Sequence, residues 1–281
     1  FCVGIDGMLL KDSDRFKGFI PYKLNYLNRI GANVTLFTTR TPTTFMPILE
    51  DVKITHPVVC MSGAALYDTQ NQHYIAVESI DVETAKRVYA VLKKNRISPF
   101  VNQIHEDVLF TYNEHIDNEG ERIYALSKRN ASYCSYVPGP VPTDEVVYFL
   151  IVEKEDIVKK LMDDIRVDED LSSKVSILIY DVFETDQVPG LKYVKIYSKK
   201  IEELEILKMY CKNEQLDIVG LSSSVHSKHL LKHSKYNVAL DVLEDKVLKD
   251  CFSVVSKEQP DKLFKEAQKI YHYNLAKCGK K

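Results

Sequence analysis

The first 65 residues alternate between short apolar runs and stretches with helical spacing. The runs at residues 1–5, 34–37 and 57–61 are short and mostly uncharged, and turn-forming residues follow them, so they predict buried strands. Residues 21–29 and 43–51, between these runs, predict helices. Because apolar strands alternate with helices, we expect a parallel sheet covered on both faces.

The pattern changes near residue 79. An amphipathic helix is predicted at residues 81–95, and the runs at 99–102 and 108–112 predict paired strands. The polar stretch 118–143 follows and ends in a loop rich in Pro and Gly. Further elements are predicted as strands at 146–152, 175–180 and 191–197 and a helix at 156–164. This region predicts a second α/β domain with an antiparallel sheet.

From Lys199 onward the first pattern returns. The predicted helices are at 201–211, 228–234 and 260–273, and the predicted strands at 218–220, 236–240 and 251–255. The chain is therefore expected to leave one domain, build another and come back. We predict an α/β protein with one domain at residues 1–78 plus 191–281 and an inserted domain at 79–190.

Composition excludes several classes of function. Lys and Arg total 38 and Asp and Glu total 40, so the formal net charge is −2 among 281 residues. Nucleic-acid proteins and polybasic membrane-surface proteins carry a basic surplus, so neither partner is expected. No apolar run approaches the length of a membrane span, and the start has no signal-peptide pattern. Scattered cysteines without metal-ligand spacing favour free thiols in a reducing compartment, so we predict a cytoplasmic location. Because the chain begins inside an apolar run, we expect a few native residues before Phe1.

Five segments resemble motifs of one known superfamily. Residues 1–9, which read FCVGIDGML, resemble a strand followed by D-x-D-G-T-L, and residues 34–40 resemble a strand ending in Thr and then Arg. Residues 57–68 resemble a segment of apolar residues followed by N-G-A and Y-D. Residues 219–220 stand where G-D-G-x-N-D would begin, and 230–240 resemble the run that follows it. In order and spacing, the chain resembles the haloacid dehalogenase (HAD) superfamily, in its Cof-type branch.

This resemblance implies a Rossmann-like parallel-sheet core with an inserted α/β cap, and usually a magnesium-dependent phosphatase of small phosphorylated metabolites. In such enzymes the first motif Asp attacks phosphorus and forms an aspartyl-phosphate. A second Asp, two residues later, acts as general acid and base. A hydroxyl and a Lys hold the phosphoryl oxygens, and acids of the first and last motifs hold Mg²⁺.

The match fails at the positions that carry this chemistry. Gly4 stands at the nucleophile position, Met8 at the usual Thr and Leu221 at the last-motif Asp, whereas Asp6 retains the acid/base position. No Asp or Glu occurs between Asp217 and Asp241, so no neighbouring acid substitutes for Leu221. The other degenerate positions in this loop are Ser222, Ser224 and Val225. Hard divalent ions need oxygen ligands, so we expect no metal and no cofactor.

Several polar positions of the motifs are retained. The candidates for binding a phosphate or another anion are Thr38, Thr39, Arg40, Ser62, Gly63, Lys199 and Lys200, with Lys200 preferred over Lys199 as the motif lysine. Each also has a purely structural interpretation, as a turn, a strand end or a solvated helix start. His229 and His233 are spaced i, i+4, but no third ligand is evident, so a metal site there is not predicted.

Three hypotheses of function remain open. The first is a catalytically inactive HAD-fold protein that retains binding of a phosphorylated small molecule between core and cap. The second is a hydrolase of phosphate monoesters that uses Asp6 by a non-standard route. The third is a structural scaffold, with its oligomeric state open.

Overall fold

The computed structural model describes residues 1–10, 15–129, 131–180 and 188–278. Contacts divide the chain into a core unit, Phe1–Ala76 with Glu203–Lys281, and an inserted unit, Val77–Glu202. The excursion out of one domain and back is as the sequence indicated, but its second boundary differs. We predicted that residue 191 begins the return to the core, whereas Leu191–Ser198 is a strand of the inserted unit because it pairs with two strands there.

The strands in the described residues are β1 (Cys2–Gly4), β2 (Thr35–Phe37), β3 (Val58–Cys60), β4 (Ala65–Asp68), β5 (His73–Val77), β6 (Phe100–His105), β7 (Val108–Asn113), β8 (Cys134–Pro138), β9 (Tyr148–Lys154), β10 (Val175–Tyr180), β11 (Leu191–Ser198), β12 (Val219–Ser222), β13 (Tyr236–Leu240) and β14 (Ser253–Val255). The α-helices are α1 (Ile20–Arg29), α2 (Pro42–Phe45), α3 (Val82–Lys94), α4 (Glu119–Arg129), α5 (Glu155–Val167), α6 (Glu169–Lys174), α7 (Glu205–Asn213), α8 (Lys228–Lys232), α9 (Asp245–Leu248) and α10 (Lys262–Cys278).

The core unit contains one sheet with the order β14-β13-β12-β1-β2-β3-β4-β5. The pairs from β14 to β3 are parallel, and β4 runs antiparallel to β3. Cys2 and Phe37 pack with residues of α7 and α8 on one face, whereas Val3 and Leu36 are fully buried on the other. The central strands are therefore covered on both faces, which is why they are mostly apolar. The predicted parallel-sheet core is confirmed.

Local signals explain where helix α1 of the core begins and ends. Pro21 lies in its first turn, where a missing N–H costs nothing. Leu24 and Leu27 form its buried stripe, and Gly31, with φ of 90°, follows its end. The helix predicted at 43–51 is shorter than expected: α2 gives way to a 3₁₀ segment, Met46–Leu49, because Pro47 interrupts the α-helical hydrogen bonding.

The inserted unit contains a second sheet with the order β10-β11-β9-β6-β7-β8, mostly antiparallel. Helices α3 and α5 cover one face, where Val88 and Leu161 join sheet residues in an apolar cluster. The carboxylate of Asp81 accepts a hydrogen bond from the Thr84 N–H (2.9 Å) and so caps α3.

Two elements of the inserted unit were missed in the polar stretch 118–143, namely α4 and β8. Few apolar residues mark α4, and it lies against the other face of the sheet, where Gly120 approaches the side chains of Val152 and Leu191. The signal that could have revealed α4 is a reciprocal cap. Asn118 Oδ1 accepts from the Glu121 N–H, and Glu121 accepts from the Asn118 N–H.

None of the helices in the described ranges is long and apolar enough to cross a membrane. Within the described residues, the cysteines Cys2, Cys60, Cys134, Cys211 and Cys251 form no disulfide bond.

Candidate active site

The carboxyl ends of β1, β2, β3 and β12 meet at one edge of the core sheet, because these neighbouring strands are parallel. Open α/β sheets bind ligands at this edge. It carries Asp6 after β1, Thr38 after β2, Ser62 after β3 and the loop that leaves β12 at Ser222. The topology therefore brings these sequence-predicted positions to one place.

Both carboxylate oxygens of Asp6 accept hydrogen bonds from the end of β2. The Thr38 hydroxyl donates to Oδ1 (2.6 Å), and the Thr39 backbone N–H donates to Oδ2 (3.0 Å). The Arg40 N–H donates to the Thr38 hydroxyl oxygen (3.2 Å). The donors from which we expected phosphate binding thus bind an anion that the chain itself supplies, the Asp6 carboxylate.

The end of β1 has no room for a side chain at Gly4. A Cβ placed on Gly4 would lie 2.7 Å from the hydroxyl oxygen of Ser227 and 2.8 Å from its Cβ. It would also lie 3.3 Å from the carbonyl oxygen of Leu221. Ser227 is fully buried and part of a 3₁₀ turn, Val225–Ser227, so it cannot simply swing into solvent. A carboxylate at this position would require the loop after β12 to move.

Three buried side chains of that loop, Ser222, Ser223 and Ser227, form what we call the serine cluster. The hydroxyl oxygens of Ser222 and Ser227 are 2.7 Å apart, and both hydroxyls lie within hydrogen-bond distance of the carbonyl oxygen of Ser224. This half of the serine cluster satisfies its polar atoms within the loop, directly beside Gly4.

Ser223 joins the same loop to β1 and the turn after it. Its hydroxyl donates to the carbonyl oxygen of Gly4 (2.5 Å) and accepts from the Gly7 N–H (3.2 Å). A Cβ at Gly7 would lie 1.9 Å from the carbonyl oxygen of Ser223, so only glycine fits this approach. The serine cluster therefore fills the space beside Gly4 at the end of β1.

The residues present do not fit a magnesium ion. Leu221 is fully buried in β12 and has no side-chain oxygen, and Gly4 has neither a carboxylate nor space for one. Asp6 supplies the remaining carboxylate, and both of its oxygens already accept hydrogen bonds. Mg²⁺ demands near-octahedral oxygen coordination. In the described ranges, no group of three or more His, Cys, Asp or Glu side chains could hold a metal ion.

The loop after β3 has an unusual backbone. Met61, Ser62 and Gly63 have positive φ values of 50°, 62° and 103° in succession. The Ser62 N–H donates to the Thr38 carbonyl oxygen (3.1 Å), and the Met61 N–H donates to that of Arg40 (3.0 Å). Left-handed non-glycine residues cost about 1–3 kcal/mol each, so these two hydrogen bonds help to hold a strained turn beside Asp6.

Lys199 and Lys200 belong to the inserted unit, and their side chains pair with acids of that unit. Lys199 Nζ donates to Glu202 (2.7 Å), and Lys200 Nζ lies 3.6 Å from Glu78. Their role in binding an anion remains a prediction from the motif resemblance. Met8 is fully buried, and Val225 is half-exposed in the loop after the serine cluster.

Sequence reasoning missed Ser227, although this residue decides whether Gly4 can be replaced. Its local signal was weak, since it is one of several serines in a loop without acids. Its contact with Gly4 joins residues 223 positions apart, and only the pairing of β1 with β12 brings them together.

Comparisons with known proteins agree with the fold. The sequence model of a family described as haloacid dehalogenase-like hydrolase matches residues 1–219. No curated protein matches the chain significantly.

Several solved structures are similar over nearly the whole chain. A haloacid dehalogenase-like hydrolase from Bacteroides thetaiotaomicron has a TM-score of 0.70 at 12% identity and covers 96% of this chain and 98% of its own. A HAD phosphatase from the same organism has a TM-score of 0.67 at 14% identity, over 95% of this chain and 92% of its own. A HAD subclass IIB sugar phosphatase has a TM-score of 0.66 at 14% identity, over 96% and 97%. The chain therefore belongs to the haloacid dehalogenase-like hydrolase family, with the Cof-type architecture of a Rossmann-like core and an inserted α/β domain.

Proposed function

We propose that this chain is a non-catalytic member of its family, a pseudophosphatase. The observation that carries the proposal is the position of Ser227, whose hydroxyl stands where a side chain on Gly4 would have to begin. Covalent phosphoryl transfer needs a carboxylate nucleophile at this strand end. Here the nucleophile is absent, and its space is filled by a buried hydroxyl.

The second support is the loss of the metal site. Phosphoryl transfer depends on a cation that neutralises charge as it develops on the transferred group. The buried Leu221 side chain offers no ligand to such an ion. Two separate requirements of the reaction are therefore missing from one strand edge.

The hydrogen bonds of Asp6 give this carboxylate a structural role. One oxygen accepts from a hydroxyl and the other from a backbone N–H. Each oxygen keeps a further lone pair, so hydrolysis is disfavoured by the missing nucleophile and metal ligand. The same bonds disfavour phosphate binding at the end of β2, since phosphate would have to displace a carboxylate from these donors. We therefore favour the scaffold hypothesis over retained binding of a phosphorylated small molecule.

The test is a phosphatase assay with Mg²⁺ on the purified chain and on its Asp6→Asn variant. The substrates are p-nitrophenyl phosphate and a panel of sugar phosphates and nucleotides. We expect equal, background turnover from both proteins, and no thermal shift with Mg²⁺ or inorganic phosphate. Turnover by the unchanged chain that disappears in Asp6→Asn would establish the hydrolase hypothesis instead. A thermal shift with phosphate, but no turnover, would establish the binding hypothesis.

A further inference from the structure

A cavity of about 130 Å³ lies within the inserted unit, between helix α3, the sheet and the loop that precedes β9. Its floor is apolar and buried, because Val101, Val146 and Phe149 are each at most 3% exposed. Helix α3 contributes Ala85 to one wall, and the exposed loop residues 142–144 form the rim. The cavity therefore has an apolar interior and a polar entrance.

A buried glutamine beside this cavity has an unsatisfied side-chain oxygen. Gln103 is fully buried, and it lies two residues after Val101 on the same face of β6. Its Nε2 donates to the carbonyl oxygen of Pro142 (3.1 Å). Its Oε1 is buried and has no hydrogen-bond partner in the part of the chain that the structure describes. Val101 and Pro142 both line the cavity, so Gln103 stands at its wall.

The orientation of this amide is fixed by its neighbour. A carbonyl oxygen can only accept a hydrogen bond, so the nitrogen of Gln103 must face Pro142 and the oxygen must face away from it. Buried polar atoms are nearly always paired. The Gln103 oxygen therefore calls for a donor that the described residues do not supply.

One carboxylate stands at the rim of the cavity. Asp144 belongs to the lining, and 51% of its side chain is exposed. Its Oδ1 accepts from the Glu145 N–H (2.7 Å), and its Oδ2 lies 3.9 Å from Nδ1 of His105. Neither contact is a close ion pair, so the carboxylate can bind a cation that arrives from solvent.

Two donors that line the cavity are already engaged. The Lys86 ammonium pairs with Glu83 (2.7 Å). Burial and a hydrogen bond to Glu114 raise the pKa of the Tyr89 hydroxyl, which keeps its proton and donates it to that carboxylate. The acceptors of Gln103 and Asp144 therefore match a ligand that carries donors, and the negative charge of Asp144 favours a cationic one.

The volume of the cavity limits the ligand to a small molecule. An apolar cavity of about 150 Å³ in a protein interior holds benzene. At 130 Å³, this cavity takes an apolar body of similar or smaller size, such as a short branched alkyl chain.

We propose that this cavity binds a small primary amine. The apolar body of the ligand packs between Ala85 and Phe149, and its ammonium group donates to Gln103 Oε1 and to Asp144. The site lies wholly within the inserted unit, so it does not rest on the proposal that the core site is non-catalytic.

The test is isothermal titration calorimetry of the full chain with isoamylamine and with isoamyl alcohol, which has a similar shape but no charge. We expect saturable binding of the amine in the millimolar range, at least about fivefold tighter than that of the alcohol, because the amine forms a charge-assisted hydrogen bond. Asp144→Asn should remove this difference. Glu145→Gln, at an exposed neighbour outside the lining, is the matched control and should preserve it.

Filling the cavity tests where the ligand binds. Ala85→Leu places a larger side chain in the cavity and should abolish binding of both ligands. Ala90→Leu, at an exposed position of α3, is the matched control and should leave binding unchanged. Gln103→Met removes the amide without enlarging the side chain much, so it should weaken both ligands. Circular dichroism checks that each variant is folded, and Gln103→Met decides the location if Ala85→Leu is not.

Three outcomes would overturn the proposal. Absence of saturable binding by either ligand would assign the Gln103 oxygen to a buried water. Equal affinities of the unchanged chain for the amine and the alcohol would show an apolar cavity that does not select a cation. Full binding by a folded Ala85→Leu or Gln103→Met variant would place the ligand elsewhere on the chain.

Discussion

The hydroxyl oxygen of Ser227 lies 2.7 Å from the point where a Cβ on Gly4 would be. The two residues are far apart in the chain, yet the pairing of β1 with β12 holds them against each other. The absence of a side chain at Gly4 and the packing of Ser227 against it therefore belong to one arrangement.

Restoring the motif acid should not restore the reaction. Gly4→Asp forces a carboxylate against Ser227 and the Leu221 carbonyl, so we expect a loss of about 1–3 kcal/mol in the free energy of unfolding and no phosphatase activity. Urea denaturation and the phosphatase assay measure the two effects. The double variant Gly4→Asp with Ser227→Gly is the control and should recover part of the stability. A stable and active Gly4→Asp protein would contradict the claim that Ser227 leaves no room for a carboxylate at position 4.

Ser223 and Ser224 offer a matched pair for testing the serine cluster. Ser223→Ala leaves the buried Gly4 carbonyl and the Gly7 N–H without their hydroxyl partner, so it should destabilise the protein by about 1–3 kcal/mol. The hydroxyl oxygen of Ser224 is buried and has no hydrogen-bond partner in the described structure, so Ser224→Ala should be neutral or slightly stabilising. Urea denaturation of Ser223→Ala and Ser224→Ala measures the free energy of unfolding of each variant. Equal losses of this free energy in the two variants would show that the hydrogen bonds of Ser223 contribute nothing to stability.

Asp6 should act as a structural residue. Asp6→Asn replaces a carboxylate that accepts from Thr38 and Thr39 by an amide that presents N–H₂ to one of these donors, so we expect a loss of about 1–2 kcal/mol. A double-mutant cycle with Thr38→Val isolates the side-chain bond. The free energies of unfolding of the two single variants and the double variant should be non-additive. Additive losses would mean that Asp6 and Thr38 are not coupled.

Glu121 in α4 makes the stability of the inserted unit depend on pH. Burial raises the pKa of this carboxyl to about 7 from its ordinary 4.5, even though the Asp117 N–H donates to it. Below pH 4.5 the group is protonated in both folded and unfolded chains. Between pH 4.5 and 7 the folded chain binds more protons than the unfolded chain, so the contribution of Glu121 to stability falls as pH rises. Above pH 7 the carboxyl is ionised in both states, and the cost of burying its charge no longer changes with pH.

Glu121→Gln should flatten this dependence. We expect the thermal midpoint of the unchanged chain to fall more than that of Glu121→Gln between pH 5 and pH 8. Glu119→Gln, at an exposed position of the same helix where Arg122 lowers the carboxyl pKa, is the matched control and should leave the decline in place. The same decline in Glu121→Gln as in the unchanged chain would contradict this assignment.

The alternation of strands and helices could be predicted from the sequence because a strand buried on both faces is mostly apolar. Val3 and Leu36 are examples, and the return of the pattern late in the chain revealed the insertion. The C-terminal boundary of the inserted unit was harder to predict from the sequence. Strand β11 reads LKYVKIYS, and its pairing with β9 and β10 is what assigns it to the second sheet.

The sequence by itself determined that positions 4 and 221 carry no carboxylate, since Gly4 and Leu221 have none in any fold. It also determined that Asp6 and Thr38 follow neighbouring strands, and hence that they would meet. Only the tertiary structure decided what fills the site. The bonds of Asp6 to Thr38 and Thr39, and the contact of Ser227 with Gly4, depend on distances between loops of different strands. Hydrophobic periodicity specifies which face of an element is buried, whereas the close packing of buried loops specifies which atoms meet.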